Sequence, residues 1–449
     1  MTVTLHHADM LSWLAAYDGP LFDSCVTDPP YHLTSIVKRF GGDKAAPART
    51  GKSDNATGAY ARVSKGFMGK TWDGGDIAFR PETWRAVYDA LKPGAHLVAF
   101  SGTRTYHRMA CAIEDAGFEI RDCLFWAYGS GFPKSHDVSK GIDRHNGDVR
   151  EKVKVSSDAP AYQRGIGNHR PWMDNPDHER DGPTAASAAS AAWQGWGTAL
   201  KPALEPICLA RKPLSEKSVA ANVLRHGTGA INIDACRVAH DEQCRMMAAP
   251  QANIDNPSEK HRQAGRRSAV LELKPQGRWP ANLVHDGSDE VVAGFPDTTS
   301  GTFSGHRNQP KTNGIYGAFD LQDERGHVGD SGSAARFFYS AKAGPLDRIG
   351  TAHATVKPVD LMRWLVRLVT PPGGHILEPF AGSGTTGIAA MAEGFACTML
   401  ELEAEHVADI ERKLAFLRGD GGLRTIEQHK AKRDRAKDAG AGPLFGEVA

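Results

Sequence analysis

The stretch HILEPFAGSGTTGIAAMAEG, residues 375–394, reads as a buried strand, a glycine-rich turn and a helix. Glycines at such a turn let a ligand approach the backbone closely, and the first helical turn offers unpaired N–H donors. Glu378 ends this strand, and Glu401 ends the next predicted strand about twenty residues beyond the turn, where an acid suits the hydroxyls of a ribose. The pattern predicts a nucleotide-like cofactor; an ordinary glycine-rich turn of an α/β protein is the alternative interpretation.

The same turn matches the dinucleotide fingerprint G-x-G-x-x-G formally, with Gly382, Gly384 and Gly387. Taken alone, that match suggests a dinucleotide-dependent oxidoreductase. A second stretch, TDPPYHL at residues 27–33, argues against it. A dehydrogenase has no evident use for Asp-Pro-Pro-Tyr at the end of another strand.

The Asp-Pro-Pro-Tyr tetrapeptide offers a distinct chemistry at a strand end. Asp28 projects a carboxylate, and Pro29 and Pro30 stiffen the turn so that its carbonyls stay aimed as acceptors. Tyr31 adds an aromatic face. Two acceptors beside a ring platform suit the exocyclic amine of a nucleobase taken out of its stack. A plain turn closed by a core tyrosine is the alternative.

Strand-like and helix-like segments alternate at both ends of the chain. Residues 1 to about 130 contain the strand patterns VTLHHAD, FDSCVTDPPY, AHLVAFSG and FEIRDCLFWAY, separated by helical patterns. The same alternation of strand and helix patterns occurs again from about residue 356. Strand, helix, strand at this spacing predicts a parallel sheet covered by helices. The glycine-rich turn and the Asp-Pro-Pro-Tyr turn should therefore face the same ligand crevice, at the carboxyl ends of the strands.

Composition narrows the class of protein. The chain has 449 residues, a net charge of +1 and seven scattered cysteines without a CxxC pair, which is typical of reduced thiols in a cytoplasmic protein. It contains no apolar stretch long enough to span a bilayer and no signal peptide. His226, Cys236, His240 and Cys244 follow no zinc spacing, so we predict no metal.

The combination of DPPY with FAGSGTT resembles the S-adenosylmethionine-dependent amino-methyltransferases of DNA. The order, with the catalytic tetrapeptide first, is similar to their permuted beta class of phage and bacterial type. HATVKP, residues 353–358, resembles the H-P-T-x-K-P element of that family with Ala354 in place of proline, and HHAD resembles its G-D strand end with Ala8 in place of glycine. The resemblance covers residues 1–143, 196–213 and 340–417.

The resemblance implies a Rossmann-like fold with a mostly parallel seven-stranded sheet, helices on both faces and an inserted target-recognition region. It also implies roles for the residues. Asp28 and the Pro29 carbonyl accept from the target amine, Pro30 completes the turn, and Tyr31 stacks on the extruded base. The implied cofactor-binding residues are Asp9 at the adenine, Glu401 at the ribose, Thr355 and Lys357 on the far side, and Glu378, Phe380, Ala381, Gly382, Ser383, Gly384, Thr385 and Thr386 at the turn.

The implied reaction is direct methyl transfer from S-adenosylmethionine to adenine N6 in double-stranded DNA, after base flipping. In the family, an aspartate in the first position of the tetrapeptide accompanies adenine more often than cytosine, and Asp28 favours adenine accordingly. The alternatives are transfer to cytosine N4, an RNA or protein-amide methyltransferase, and a non-catalytic DNA-binding protein of the same fold. The partners considered, besides DNA, are a cognate restriction enzyme and a second copy of the chain.

The middle of the chain and its tail differ in composition from the two ends. We predict a catalytic half at 1–143, a loop-rich insert at 144–195, a returning strand at 196–213, a target-recognition region at 214–340, a cofactor-binding half at 341–420 and a basic tail at 421–449. Within the recognition region, KHRQAGRRS (residues 260–268) has the charge to follow DNA phosphates. A solvated loop is the alternative interpretation of that run.

Overall fold

The computed structural model describes residues 2–31, 76–131, 135–154, 179–238, 277–299, 331–341, 347 and 356–419. Several sequence predictions lie outside these residues: Thr355, His240, Cys244, the basic run at 260–268 and the tail at 421–449. The chain divides into two compact units, residues 1–129 with 204–449 and residues 130–203.

The described residues form thirteen strands and ten helices. The strands are β1 Val3–His7, β2 Phe22–Thr27, β3 Leu91–Phe100, β4 Glu119–Ala127, β5 Lys152–Lys154, β6 Glu179–Asp181, β7 Leu204–Arg211, β8 Leu283–His285, β9 Asp297–Thr299, β10 Ser331–Ser333, β11 Tyr339–Ser340, β12 His375–Glu378 and β13 Ala396–Glu401. The helices are α1 Met10–Ala15, α2 Pro81–Ala90, α3 Tyr106–Asp115, α4 Val138–Asn146, α5 Ala188–Ala191, α6 Val219–His226, α7 Asp289–Val292, α8 Val359–Val369, α9 Thr385–Glu393 and α10 Ala404–Arg418.

One sheet of the described residues carries nine strands in the order β1-β13-β12-β2-β3-β7-β4-β8-β11. Every neighbouring pair is parallel except those that β7 makes with β3 and β4, which are antiparallel. The mostly parallel α/β sheet predicted from the sequence is confirmed. Its strand number exceeds the predicted seven because β8 and β11, with 3 and 2 residues, are too short to show a periodic pattern in the polar segment 214–340.

Consecutive residues of the central strands point to opposite faces of the sheet, and both faces are covered. Val26 and Val98 pack in one core cluster with the buried side of α8, whereas Cys25 and Leu97 pack in a second cluster with α2 and α3. All six residues of β2 are buried. A strand buried on both faces reads as a near-continuous apolar run, as LVAF in β3 does. β2 departs from this pattern, because Asp23, Ser24 and Thr27 are buried in it.

The strand order creates a crevice between β2 and β12. These two strands are parallel neighbours, with Leu377 opposite Cys25. From β2 the chain continues through α2 to β3 on one side, and from β12 it continues through α9 to β13 on the other. The strand order therefore reverses between β2 and β12. Open α/β sheets bind ligands at such a switch point, outside the carboxyl ends of their strands.

The unit at residues 130–203 contains α4, α5 and the antiparallel pair of β5 and β6. Its buried polar centre is the pair of Arg150 and Asp143, joined at 2.5 Å, with Arg150 also donating to the Ser139 hydroxyl at 2.5 Å. The segment predicted as a loop-rich insert, residues 144–195, lies inside this unit.

Among the residues that the structure describes, no helix has both the length and the apolar character needed to cross a bilayer.

Candidate active site

Glu378 joins the ends of the two strands that flank the crevice. Its carboxylate accepts hydrogen bonds from the hydroxyls of Thr27 and Thr386, each at 2.5 Å, and from the Phe380 N–H at 3.0 Å. Burial raises the pKa of Glu378 to about 8, although these three donors favour the ionised form. Glu378 is 1% exposed, so in this structure its carboxylate is buried beneath the turn and binds protein groups.

The glycine-rich turn between β12 and α9 is held by the end of β13. Gly382 and Gly384 have φ angles of +52° and +74°, in the left-handed region that favours glycine. The Gly382 N–H donates to the Glu401 carboxylate at 2.7 Å, and the second oxygen of Glu401 accepts from the Glu403 N–H at 2.9 Å. Glu401, the predicted ribose ligand, therefore lies against the turn at the carboxyl edge of the sheet.

A buried lysine that the sequence analysis missed supports this turn from α10. The Lys413 ammonium donates to the Ser383 carbonyl at 2.9 Å, and burial lowers the pKa of Lys413 to about 8. The Ser383 hydroxyl is hydrogen-bonded to the Thr385 hydroxyl at 2.8 Å. No local signal marks Lys413, because it lies in an ordinary charged helix about thirty residues after the turn.

Asp9, the predicted adenine contact, lies just beyond β1, whose last residue His7 pairs with Glu401. The two acids thus lie at the same edge of the sheet. In this structure the Asp9 side chain caps α1, because it accepts from the N–H and the hydroxyl of Ser12, both at 2.9 Å.

The Asp-Pro-Pro-Tyr turn follows β2 directly, at the crevice. Asp28 is partly exposed and Pro29 is buried. The Tyr31 hydroxyl donates to one Asp28 oxygen at 2.8 Å, and the Tyr31 carbonyl accepts from the Thr105 hydroxyl at 3.1 Å. Burial, followed by the charges of Asp28 and Glu205, raises the pKa of the Tyr31 hydroxyl well above its usual range, so the phenol stays protonated.

Lys357 lies beside Asp28 in the structure. The family resemblance implied a different position, on the far side of the cofactor. The Lys357 ammonium donates to the second Asp28 oxygen at 2.6 Å and lies 3.2 Å from the Glu205 carboxylate. It is also 5.3 Å from the centre of the Tyr31 ring and 5.0 Å from that of Phe100. Burial disfavours the charged form, but the two carboxylates outweigh it and raise the pKa of Lys357.

Glu205 is a second site residue that sequence reasoning missed. It lies at the start of β7, which runs antiparallel to β3 so that Ile207 pairs with Phe100. The antiparallel direction brings the beginning of β7 to the same edge as the ends of the parallel strands. Burial, followed by the charge of Glu205, raises the pKa of Tyr128 to about 12, and the Tyr128 hydroxyl is hydrogen-bonded to Glu205.

Of the residues considered for a metal, His226 and Cys236 lie in the described part of the chain, and both have other partners. The His226 ring is hydrogen-bonded to the Ser215 hydroxyl at 2.7 Å, and Cys236 is buried with its sulfur 3.6 Å from the Trp364 carbonyl. Within the described ranges, no three His, Cys, Asp or Glu side chains are grouped so as to hold a metal ion.

Comparison with curated proteins finds methyltransferases. The chain is 23% identical over 242 residues to the type II methyltransferase M.HindIII of Haemophilus influenzae, covering 51% of this chain and 64% of that protein. It is 38% identical over 55 residues to the DNA adenine methyltransferase YhdJ of Escherichia coli, which is 12% of this chain and 19% of that protein. The chain thus matches less than two thirds of the length of either relative.

Solved structures resemble the chain only distantly. The M1.HpyAVI–SAM complex covers 92% of this chain and all of its own, at 14% identity and a TM-score of 0.34. The PvuII DNA methyltransferase, described as cytosine-N4-specific, covers 95% of this chain and 91% of its own, at 13% identity and a TM-score of 0.38. These scores are low, so the family assignment rests on sequence.

A family model described as DNA methylase matches residues 22–412, which include both the Asp-Pro-Pro-Tyr turn and the glycine-rich turn. This span is most of the chain and contains every strand of the sheet except β1. The chain therefore belongs to the N6/N4 DNA methylase family, whose cofactor is S-adenosylmethionine.

Proposed function

We propose that this chain is a site-specific DNA methyltransferase that modifies N6 of adenine in duplex DNA, and that it has the motif order of the permuted beta class. The observation that carries the proposal is the position of Asp28. Asp28 directly follows the last residue of β2, Thr27, and the Thr27 hydroxyl donates to Glu378 at the end of β12, just before the glycine-rich turn. The acceptor and the cofactor turn are thus neighbours.

The residues at the crevice fit the proposed cofactor. Gly382 and Gly384 form a turn without side chains at the start of α9, and Glu401 provides carboxylate oxygens beside it for ribose hydroxyls. When bound, S-adenosylmethionine supplies an electrophilic methyl group. Thr355 lies outside the described residues, and its contact with the cofactor remains a prediction.

The Asp28 carboxylate can accept hydrogen bonds from an amine. Each of its oxygens already accepts one hydrogen bond, from Tyr31 and Lys357. A carboxylate offers about four lone-pair positions, so roughly two remain for an incoming amine. Accepting both amine hydrogens, with the Pro29 carbonyl as the second acceptor, frees the nitrogen lone pair from the ring and aims it at the methyl group. Positioning supplies most of the rate enhancement in such a direct transfer.

The choice of adenine rests on Asp28 and on one relative. Aspartate in this position favours adenine by resemblance, and YhdJ is named a DNA adenine methyltransferase. Cytosine N4 is the alternative, because its amine is chemically equivalent and the same acceptors would serve it. An extruded base would need an aromatic partner, and Tyr31 remains our prediction for that role.

The test is expression in cells that lack DNA methylation, followed by single-molecule sequencing that detects modified bases. Methyladenine at one recurring motif supports the proposal and identifies the recognition site. Methylcytosine at N4 keeps the mechanism and overturns the base assignment. An unmodified genome, with S-adenosylmethionine binding demonstrated, refutes DNA as the substrate.

Asp28→Ala is the matched control for that experiment. We expect the variant to lose methyl transfer and to keep its affinity for S-adenosylmethionine, since Asp28 serves the amine and the glycine-rich turn is intact. Methylation by this variant at the wild-type level would refute the role of Asp28.

A further inference from the structure

Two carboxylates share one buried ammonium at the candidate active site. Lys357 lies 2.6 Å from Asp28 and 3.2 Å from Glu205, and its side chain is only 8% exposed. Asp28 and Glu205 are also largely withdrawn from water, with side-chain exposures of 25% and 18%. The three groups come from the turn after β2, the start of β7 and the segment before α8, so only the folded sheet brings them together.

Without the ammonium, this arrangement would oppose two like charges. Oxygens of Asp28 and Glu205 both lie within 3.2 Å of the same nitrogen atom, so the carboxylates are close neighbours. Neighbouring carboxylates in a partly buried site do not both ionise readily, and one proton is held between them. Protonation of Asp28 would convert one of its two acceptor oxygens into an O–H donor, so the carboxyl group would accept the amine hydrogens less well.

We propose that Lys357 is a positioning residue that keeps Asp28 ionised and oriented toward the target amine, and that Glu205 is the second charge that makes this lysine necessary. The proposal rests on the methyl transfer proposed above. It adds to that function a role for two residues outside the Asp-Pro-Pro-Tyr turn, Lys357 and Glu205, which control the ionisation of Asp28.

The other groups around the cluster are compatible with this role. The Tyr31 hydroxyl lies 2.8 Å from Asp28 and 3.2 Å from Glu205, and Tyr128 is hydrogen-bonded to Glu205. Both phenols have raised pKa values, so they act as neutral donors. Glu378 accepts from the Thr27 hydroxyl; burial, with a smaller contribution from the charge of Asp28, raises its pKa to about 8. Among the described residues, Lys357 is the cation that contacts both Asp28 and Glu205.

The aromatic surroundings of Lys357 also favour the ammonium form. The rings of Tyr31 and Phe100 lie 5.3 and 5.0 Å from its nitrogen, within the range of cation–π attraction. A methionine would fill similar space beside these rings without the charge. Lys357→Met therefore removes the balance of charge with little change in volume.

The experiment measures kcat for methyl transfer as a function of pH for the wild type, Lys357→Met and the double variant Lys357→Met with Glu205→Gln. For Lys357→Met we expect the pH of half-maximal kcat to rise by about one unit or more. The affinity for S-adenosylmethionine should stay within about twofold, because the glycine-rich turn does not contact Lys357.

The double variant separates charge balance from structure. Removing Glu205 as well leaves Asp28 without a like-charged neighbour, so the pH of half-maximal kcat should return toward the wild-type value. A lysine that merely supports the fold would give a double variant no better than the single one. Lys357→Arg keeps the charge and should leave the pH midpoint near that of the wild type.

Lys92→Met is the matched control. Lys92 forms a pair with Asp23 at the same distance of 2.6 Å, but at the opposite edge of the sheet, where β2 begins. The pH profile of kcat in Lys92→Met should match that of the wild type.

Three outcomes would overturn the inference: an unchanged pH midpoint in Lys357→Met, no return of the midpoint in the double variant, or the same shift in Lys357→Arg. Failure of the underlying function is a different result, namely a wild-type chain that binds S-adenosylmethionine but methylates no DNA.

Discussion

Gly384 and Gly394 lie at the two ends of α9 and provide a controlled test of the cofactor turn. Their φ angles are +74° and +75°, so alanine is strained to the same extent at both positions. They differ in what a side chain would meet. A Cβ atom at Gly384 would lie 3.0 Å from both Cγ atoms of Ile410, whereas a Cβ atom at Gly394 would have nothing within 4 Å.

The expected losses of stability follow from that difference. Alanine in the left-handed region costs about 1–2 kcal/mol, and that is the whole expected effect of Gly394→Ala. Ile410 is buried at 1% exposure and has no room to withdraw, so Gly384→Ala adds an overpacking term of about 1–3 kcal/mol. The free energy of unfolding should therefore fall by about 2–5 kcal/mol in Gly384→Ala.

Relief of this clash should displace the turn that precedes α9, so Gly384→Ala should also bind S-adenosylmethionine at least about tenfold more weakly. Urea denaturation measures the stability of both variants, and calorimetric titration measures their affinity for the cofactor. Gly394→Ala should keep the wild-type affinity. Equal losses of stability at the two positions, or unchanged affinity in Gly384→Ala, would refute the assignment of this turn to the cofactor.

Two further predictions concern the buried groups behind the turn. The folded pKa of Glu378, about 8, lies above its ordinary 4.5, so its neutral form stabilises the fold at low pH and this contribution is lost as pH rises through 8. Urea titrations at pH 5 and pH 9 should therefore show a smaller loss of stability in Glu378→Gln than in the wild type, by on the order of a few kcal/mol; an identical loss would contradict the burial argument. Lys413→Met should weaken cofactor binding about fivefold, because the Ser383 carbonyl loses its donor. The neighbouring Arg412→Met, on the exposed side of α10, should leave the affinity unchanged, and equal affinities in the two variants would exclude a role for Lys413.

Local sequence patterns predicted the α/β class, which is confirmed, and singled out the two turns to which we assign the proposed function. Buried strands such as β3 contain apolar runs, and the helices between the strands show an apolar stripe. Asp28 and Gly382 were found for a different reason: a double proline and a glycine pair each restrict the backbone in a way that is visible without the fold. The predicted strands and helices of both chain ends are confirmed.

Tertiary structure decided the environment of those turns. Thr27 and Glu378 are separated by 351 residues and meet only because β2 and β12 pair in the sheet. Glu205 reaches the site because β7 runs antiparallel, a direction that no local pattern specifies. Lys357 and Asp28 are 329 residues apart and meet only in the folded sheet. Residue types and local backbone preferences can be read from the sequence. Charge pairing, by contrast, depends on which distant strands become neighbours and in which direction they run.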